Sequence, residues 1–161
     1  MSENNPILQV KDLTVSFNAF AGKVQAVRGV SFDLNKGETL CIVGESGSGK
    51  SVTNKAIMGI LSKNAVIDCG EILYDGMDLT KLTEEQFCQI RGKRIAMVFQ
   101  DPLSALNPIM KVGKQITETL CVHQKLSHEQ AKKRALELMA AVGIPEPEKR
   151  FNQYPFQFSG G

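Results

Sequence analysis

The stretch "ETLCIVGESGSGKSVTNKAIMGIL" (residues 38–61) decides how this chain is read. Its centre, "GESGSGKS" (44–51), fits the pattern G-x-x-x-x-G-K-[ST]. The segment before it, "ETLCIVGES" (38–46), contains an apolar run of the kind that forms a strand buried on both faces. After it, Val52, Ala56, Met58, Gly59 and Ile60 suit a helix packed on a sheet. Strand, glycine loop and helix are the setting in which a chain can hold a phosphate.

The chemistry follows from the residue types. Gly44, Gly47 and Gly49 let the backbone curl, so that successive N–H groups converge on one anion. The new helix adds the positive end of its dipole. Lys50 is placed to reach the β- and γ-phosphates of a nucleotide, and the Ser51 hydroxyl to ligate Mg²⁺. The expected nucleotide-binding residues are Gly44, Glu45, Ser46, Gly47, Ser48, Gly49, Lys50, Ser51 and Val52. The plain alternative, a glycine-rich turn with an incidental lysine, is disfavoured by the strand–loop–helix context.

Working outward, the first hundred residues are strand-rich. "ILQVKDLTVSF" (7–17) and "VQAVRGVSFDL" (24–34) alternate as half-buried antiparallel strands do, with "NAFAG" as the turn between them. "GEILYDG" (70–76) is a short strand ending in an Asp-Gly turn, and "RIAMVFQ" (94–100) is a second buried-strand candidate. A short helix is expected over 84–91, where Thr83 and Gln86 have capping-box spacing. Beyond Asp101-Pro102 the pattern turns helical, over 112–124 and 127–143. The second of these opens on Ser127 with Gln130 three residues on, and ends at Gly143. The basic run "KKR" (132–134) falls on the polar face of that helix and reads as solvated.

Bulk properties bound the function. At 161 residues, 42% apolar and 22% charged, the chain suits one globular α/β domain. No apolar run approaches the roughly 18 residues that span a bilayer, and "MSENNPILQV" is too polar for a secretory signal, so a cytosolic location is expected. The net charge of +2, with Lys and Arg scattered, gives no basic face for nucleic acid. Cys41, Cys69, Cys88 and Cys121 lack metal or disulfide spacing and are expected to be buried free thiols; His123 and His128 have no Cys or His partner at ligand spacing.

A phosphate loop does not hydrolyse a nucleotide by itself. Mg²⁺ needs a carboxylate, usually an Asp ending an apolar strand, and the attacking water needs an orienting residue. Asp68 leads into Cys-Gly, Asp75 is turn chemistry, and Asp101 follows a glutamine and precedes a proline. No apolar run is followed by Asp-Glu, so the usual metal carboxylate is not in this chain.

At "VFQDPLSALNP" (98–108) the sequence resembles the ABC-type ATPases, and among them the ATP-binding subunits of bacterial dipeptide and oligopeptide importers. The blocks "AVRGVSFDL", "GETLCIVGESGSGKS", "RGKRIAMVFQDPLSALNP" and "YPFQFSGG" agree in order across nearly the whole chain. The resemblance implies a P-loop NTPase fold of ABC type: an antiparallel β subdomain, a core sheet with the P-loop helix, and a partial helical subdomain. The strand-rich nucleotide-binding core is expected over about 1–100 and the helical part over about 101–161.

It also implies roles. Phe17 falls where the family stacks an aromatic on adenine, with Phe20 as an alternative; a strand residue pointing into the core explains Phe17 equally well. Gln100 matches the glutamine that reaches Mg²⁺ or the attacking water, and is the catalytic candidate; with Ser51 it completes the implied Mg²⁺ set. Ser159, Gly160 and Gly161 match the start of the signature motif, which binds the γ-phosphate of ATP held by an opposite subunit. The chain is expected to break off inside that motif, and residues 1–161 alone to bind ATP weakly without turning it over.

The implied partners are ATP, a second ATPase subunit (identical or paralogous), transmembrane permease subunits and, indirectly, a substrate-binding protein, on the cytoplasmic face of the bacterial inner membrane. Nucleic acid is not among them. A non-transport ABC ATPase of DNA repair or translation is the alternative, disfavoured by the modest charge and by "QDPLSALNP". Whether the cargo is a dipeptide, a longer peptide, glutathione or a nickel complex stays open at this level.

Overall fold

The computed structural model describes residues 6–20, 22–102 and 105–158. Its contacts divide the chain into two compact units, Met1–Arg91 and Gly92–Gly161. The architecture is α/β, as expected, with an antiparallel sheet, a P-loop helix and a helical set.

The first unit is built on strands β1 (Leu8–Ala19), β2 (Gly22–Leu34), β3 (Ala65–Tyr74) and the two-residue β4 (Met77–Asp78). They lie in the order β2-β1-β3-β4, and every described pairing is antiparallel. Asp75 and Gly76, both left-handed at φ 49 and 76, form the two-residue turn between β3 and β4. Val10, Leu13, Val15, Val27 and Ile72 bury the sheet's inner face.

The ladder is not regular. Val15 faces Val27 while Ser16 faces Gln25, so Ala26 is an extra residue on β2. On the other side of β1, Thr14 faces Cys69 while Val15 faces Ile67, which leaves Asp68 as an extra residue on β3. The two bulges therefore meet at Val15, the β3 bulge at the Thr14-Val15 step and the β2 bulge at the Val15-Ser16 step, and each redirects a side chain from its alternating position.

Helix α1 (Lys50–Ile57) follows the glycine loop and buries Thr53 and Ala56. It stops earlier than the apolar pattern suggests. Gly59, at φ 63, sends its N–H to Ala56 C=O while Ile60 N–H reaches Lys55 C=O, a Schellman ending. A 3₁₀ turn (Leu79–Lys81) and α2 (Glu84–Ile90) complete the unit. The capping box of α2 is present: Gln86 N–H donates to Thr83 Oγ1 at 3.4 Å, and Thr83 N–H donates to Gln86 Oε1 at 2.8 Å.

The second unit contains α3 (Val112–Gln124), α4 (His128–Ala141), α5 (Pro147–Phe151) and a 3₁₀ turn (Pro155–Gln157). Leu120, Ala131 and Ala135 form its core, with Ile116, Cys121, Leu126 and Phe151 packed around them. Ser127 and Gln130 cap α4 reciprocally, and α4 closes on Gly143 with the same two hydrogen bonds that close α1.

Two expected strands are corrected. Residues 38–46 and 94–100 are irregular apart from an isolated bridge at Ile95, and their apolar side chains are open: Val43 is 84% exposed and Val98 89%. A strand buried on both faces needs a hydrogen-bonded neighbour on each side. The described sheet ends at β2 and β4 and offers neither segment a ladder. Apolar content alone therefore does not make them strands. The cysteines are free but not buried: Cys41, Cys69 and Cys88 are exposed and Cys121 is half-buried.

Candidate functional site

Residues 44–52 form one loop and the first turn of α1, so the structure brings the whole expected phosphate-binding set together. Gly47 and Gly49 adopt φ 82 and 91, a region side-chain-bearing residues avoid. A Cβ on Gly49 would lie 2.5 Å from the carbonyl oxygen of Ala26 and 3.2 Å from Val27 Cγ2, so the loop is seated directly on the β2 bulge. Gly44 is confined by Ser48, whose Oγ would be 2.8 Å from an added Cβ.

The ammonium of Lys50 is drawn into the loop. It donates to Gly44 C=O at 2.7 Å, to Glu45 C=O at 2.6 Å and to Ser48 Oγ at 3.2 Å. The first intrahelical bond is Thr53 N–H to Gly49 C=O at 2.8 Å, reinforced by Thr53 Oγ1 at 3.1 Å. The N–H groups of Lys50, Ser51 and Val52 precede that bond, and no side chain caps the helix. Free donors, a dipole end and a cation thus meet at one place, the chemistry of an anion site. A cavity of about 140 Å³ opens there, lined by Ala26 and residues 47–52.

The C-terminus of α1 is also fixed. Arg91 Nε donates to Met58 C=O and its Nη2 to Gly59 C=O, both at 2.8 Å. The same guanidinium pairs with Glu84 at 2.6 Å and lies 4.5 Å from the centre of the Phe87 ring. The ion pair with Arg91 holds the Glu84 carboxyl below its ordinary range.

The other candidates fall elsewhere. Phe17 is half-buried on β1, opposite Val24 of β2, while Phe20 is fully exposed. Gln100 belongs to the unit Gly92–Gly161 and is exposed at a bend. Ser159, Gly160 and Gly161 lie outside the described residues. The chain leading to them is tied down, with Arg150 donating to Gln153 Oε1 at 3.0 Å and its guanidinium 5.6 Å from the Phe158 ring centre. Ala26 is the contributor that sequence reasoning missed. No motif marks it, since its role comes from a bulge set by strand pairing.

The loop and its helix define an α/β protein of the P-loop class. More specifically, residues 27–161 match the ABC transporter family, and the chain belongs to it. It is 60% identical over 156 residues to the oligopeptide transport ATP-binding protein OppD of Bacillus subtilis (strain 168), covering 96% of this chain and 44% of that protein. It is 56% identical to the dipeptide transport ATP-binding protein DppD of Lactococcus lactis subsp. cremoris, covering 96% of this chain and 45% of that one. The chain thus spans less than half the length of these curated relatives. Among solved structures, the dimeric MJ0796 ABC transporter cassette superposes with a TM-score of 0.80 at 26% identity, over 95% of this chain and 63% of that one. A second structure of MJ0796, dimeric and bound to ADP and Pi, matches equally.

Proposed function

We propose that the chain is the nucleotide-binding part of an ATPase subunit that powers peptide import. The observation that carries this reading is the seat of Lys50, its ammonium held over the loop carbonyls beside the uncapped start of α1. The residues fit a nucleoside triphosphate with Mg²⁺. Gly49 leaves no room for a side chain, Lys50 supplies the charge that meets the phosphates, and Ser51 supplies the hydroxyl for the metal. Bound Mg²⁺ would neutralise charge that builds up on the phosphate oxygens during hydrolysis.

The remaining roles are part of the same proposal. Gln100 orients the attacking water or Mg²⁺, Phe17 packs on the base, and Ser159, Gly160 and Gly161 meet the nucleotide of a second subunit. The names of the peptide-transport relatives and the dimeric state of the MJ0796 cassette support this arrangement. On this reading, contact with the cytoplasmic face of the inner membrane runs through permease subunits; among the described residues no helix is long and apolar enough to cross a membrane.

The test is peptide uptake by cells carrying the whole protein. Lys50→Ala abolishes ATP-driven uptake on this reading, while the subunit still assembles with its permease. Uptake that persists in the variant contradicts it. Co-isolation with nucleic acid instead of membrane subunits would favour a non-transport ATPase.

A further inference from the structure

We propose that Asp68, with Ser16 and Lys23, clamps the β1–β2 hairpin so that Phe17 is presented to the base of the nucleotide; this rests on the nucleotide reading above. Asp68 is the extra residue of the β3 bulge, opposite no β1 residue of its own. Freed from the alternation, its carboxylate accepts from Ser16 Oγ on one oxygen and from Lys23 Nζ on the other. The link runs across three strands, from β3 over β1 to β2. Ser16 is fully buried and the Asp68 side chain is only 18% exposed, while Lys23 closes the link from outside at 53%.

Phe17 follows Ser16 directly. On its other side, Asn18 N–H donates to Asn64 C=O at 2.8 Å. The aromatic is therefore held between two ties to the chain around β3. Its ladder partner Val24 is 58% exposed and stands two residues before Ala26, which lines the P-loop cavity. Two residues of strand cover about 7 Å, a step that a ribose can bridge between phosphates on the loop and a base on Phe17 and Val24. An aromatic platform is worth little to a base unless it is held still, because ordering it on binding costs affinity.

The clamp should act on the base and not on the phosphates. Equilibrium binding of Mg-ATP and of Mg-tripolyphosphate, which has no base, separates the two. Loss of a base–aromatic stack lowers affinity roughly 5- to 150-fold, and Phe17→Ala should fall in that range for ATP. Asp68→Asn is expected to weaken ATP about 3- to 10-fold and to leave tripolyphosphate unchanged. It should add nothing in the Phe17→Ala background. Lys23→Gln, at an exposed position that does not threaten folding, should shift ATP in the same direction by less.

Equal weakening of ATP and tripolyphosphate by Asp68→Asn would overturn the clamp. So would an Asp68→Asn effect undiminished by Phe17→Ala, or no effect from either Asp68→Asn or Lys23→Gln. If Lys50→Ala leaves tripolyphosphate binding intact, the P-loop reading fails and the clamp falls with it, a result visible apart from the others.

Discussion

The carbonyl oxygen of Ala26 stands 2.5 Å from the position that a Cβ on Gly49 would occupy. The P-loop is therefore fitted against backbone, which cannot step aside as a flexible side chain can. Gly49 also has a left-handed φ of 91, so any other residue there meets strain and collision together.

Gly49→Ala should accordingly destabilise the chain by more than about 2 kcal/mol and disorder the start of α1. Gly47 is the internal comparison: its φ is 82, but nothing lies within 4 Å of an added Cβ. Gly47→Ala should cost only the conformational term, about 1 kcal/mol. Thermal denaturation of the two variants checks the difference. Equal losses would contradict the seating of the loop on the β2 bulge.

Arg91→Lys tests the far end of the same helix. A lysine keeps the charge but loses the fork that serves Met58 C=O, Gly59 C=O and Glu84 at once. The expected cost is about 1–3 kcal/mol, seen as a lowered denaturation midpoint. An unchanged midpoint would mean that these carbonyls are served equally well by solvent.

Much of this fold was legible because its signals are local. The P-loop is contiguous, so its glycines and lysine could be assigned from spacing alone. The capping boxes at Thr83–Gln86 and Ser127–Gln130, and the Asp75-Gly76 turn, are likewise short-range. The misreadings share one cause, dependence on distant partners. The apolar runs at 38–46 and 94–100 look like strands, but a ladder has to be supplied by another segment, and the described sheet supplies none. Ala26 and Asp68 reach their positions through register shifts that no single strand's sequence encodes. Helical spacing places Gly59 among the packing positions of α1, whereas its positive φ ends the helix.

Ser127→Ala removes the acceptor of the Gln130 N–H, a 3.3 Å bond at the start of α4. It should lower stability by about 1 kcal/mol, and Ser127→Thr should restore most of it. Urea denaturation gives both values. A neutral Ser127→Ala would show that α4 is held by its buried Ala131, Ala135 and Met139 alone.

Acid should weaken the first unit through Asp68. The hydrogen bond from Lys23, then that from Ser16, holds the Asp68 carboxyl below its ordinary value. The folded state thus binds this proton less readily than the unfolded chain does. The contribution is complete above the unfolded pKa and is lost as the pH falls through the folded one, from about pH 5 downward. Asp68→Asn should flatten this part of the acid denaturation profile. A profile identical to that of the parent would contradict the linkage.

The most direct test of the central claim is equilibrium binding of Mg-ATP to the purified chain and to its Lys50→Ala variant, with circular dichroism confirming that both fold. The P-loop account predicts saturable binding by the parent and a loss of at least tenfold in the variant, since charged hydrogen bonds contribute about 1.5–3 kcal/mol each. Equal affinity in the two proteins would contradict it.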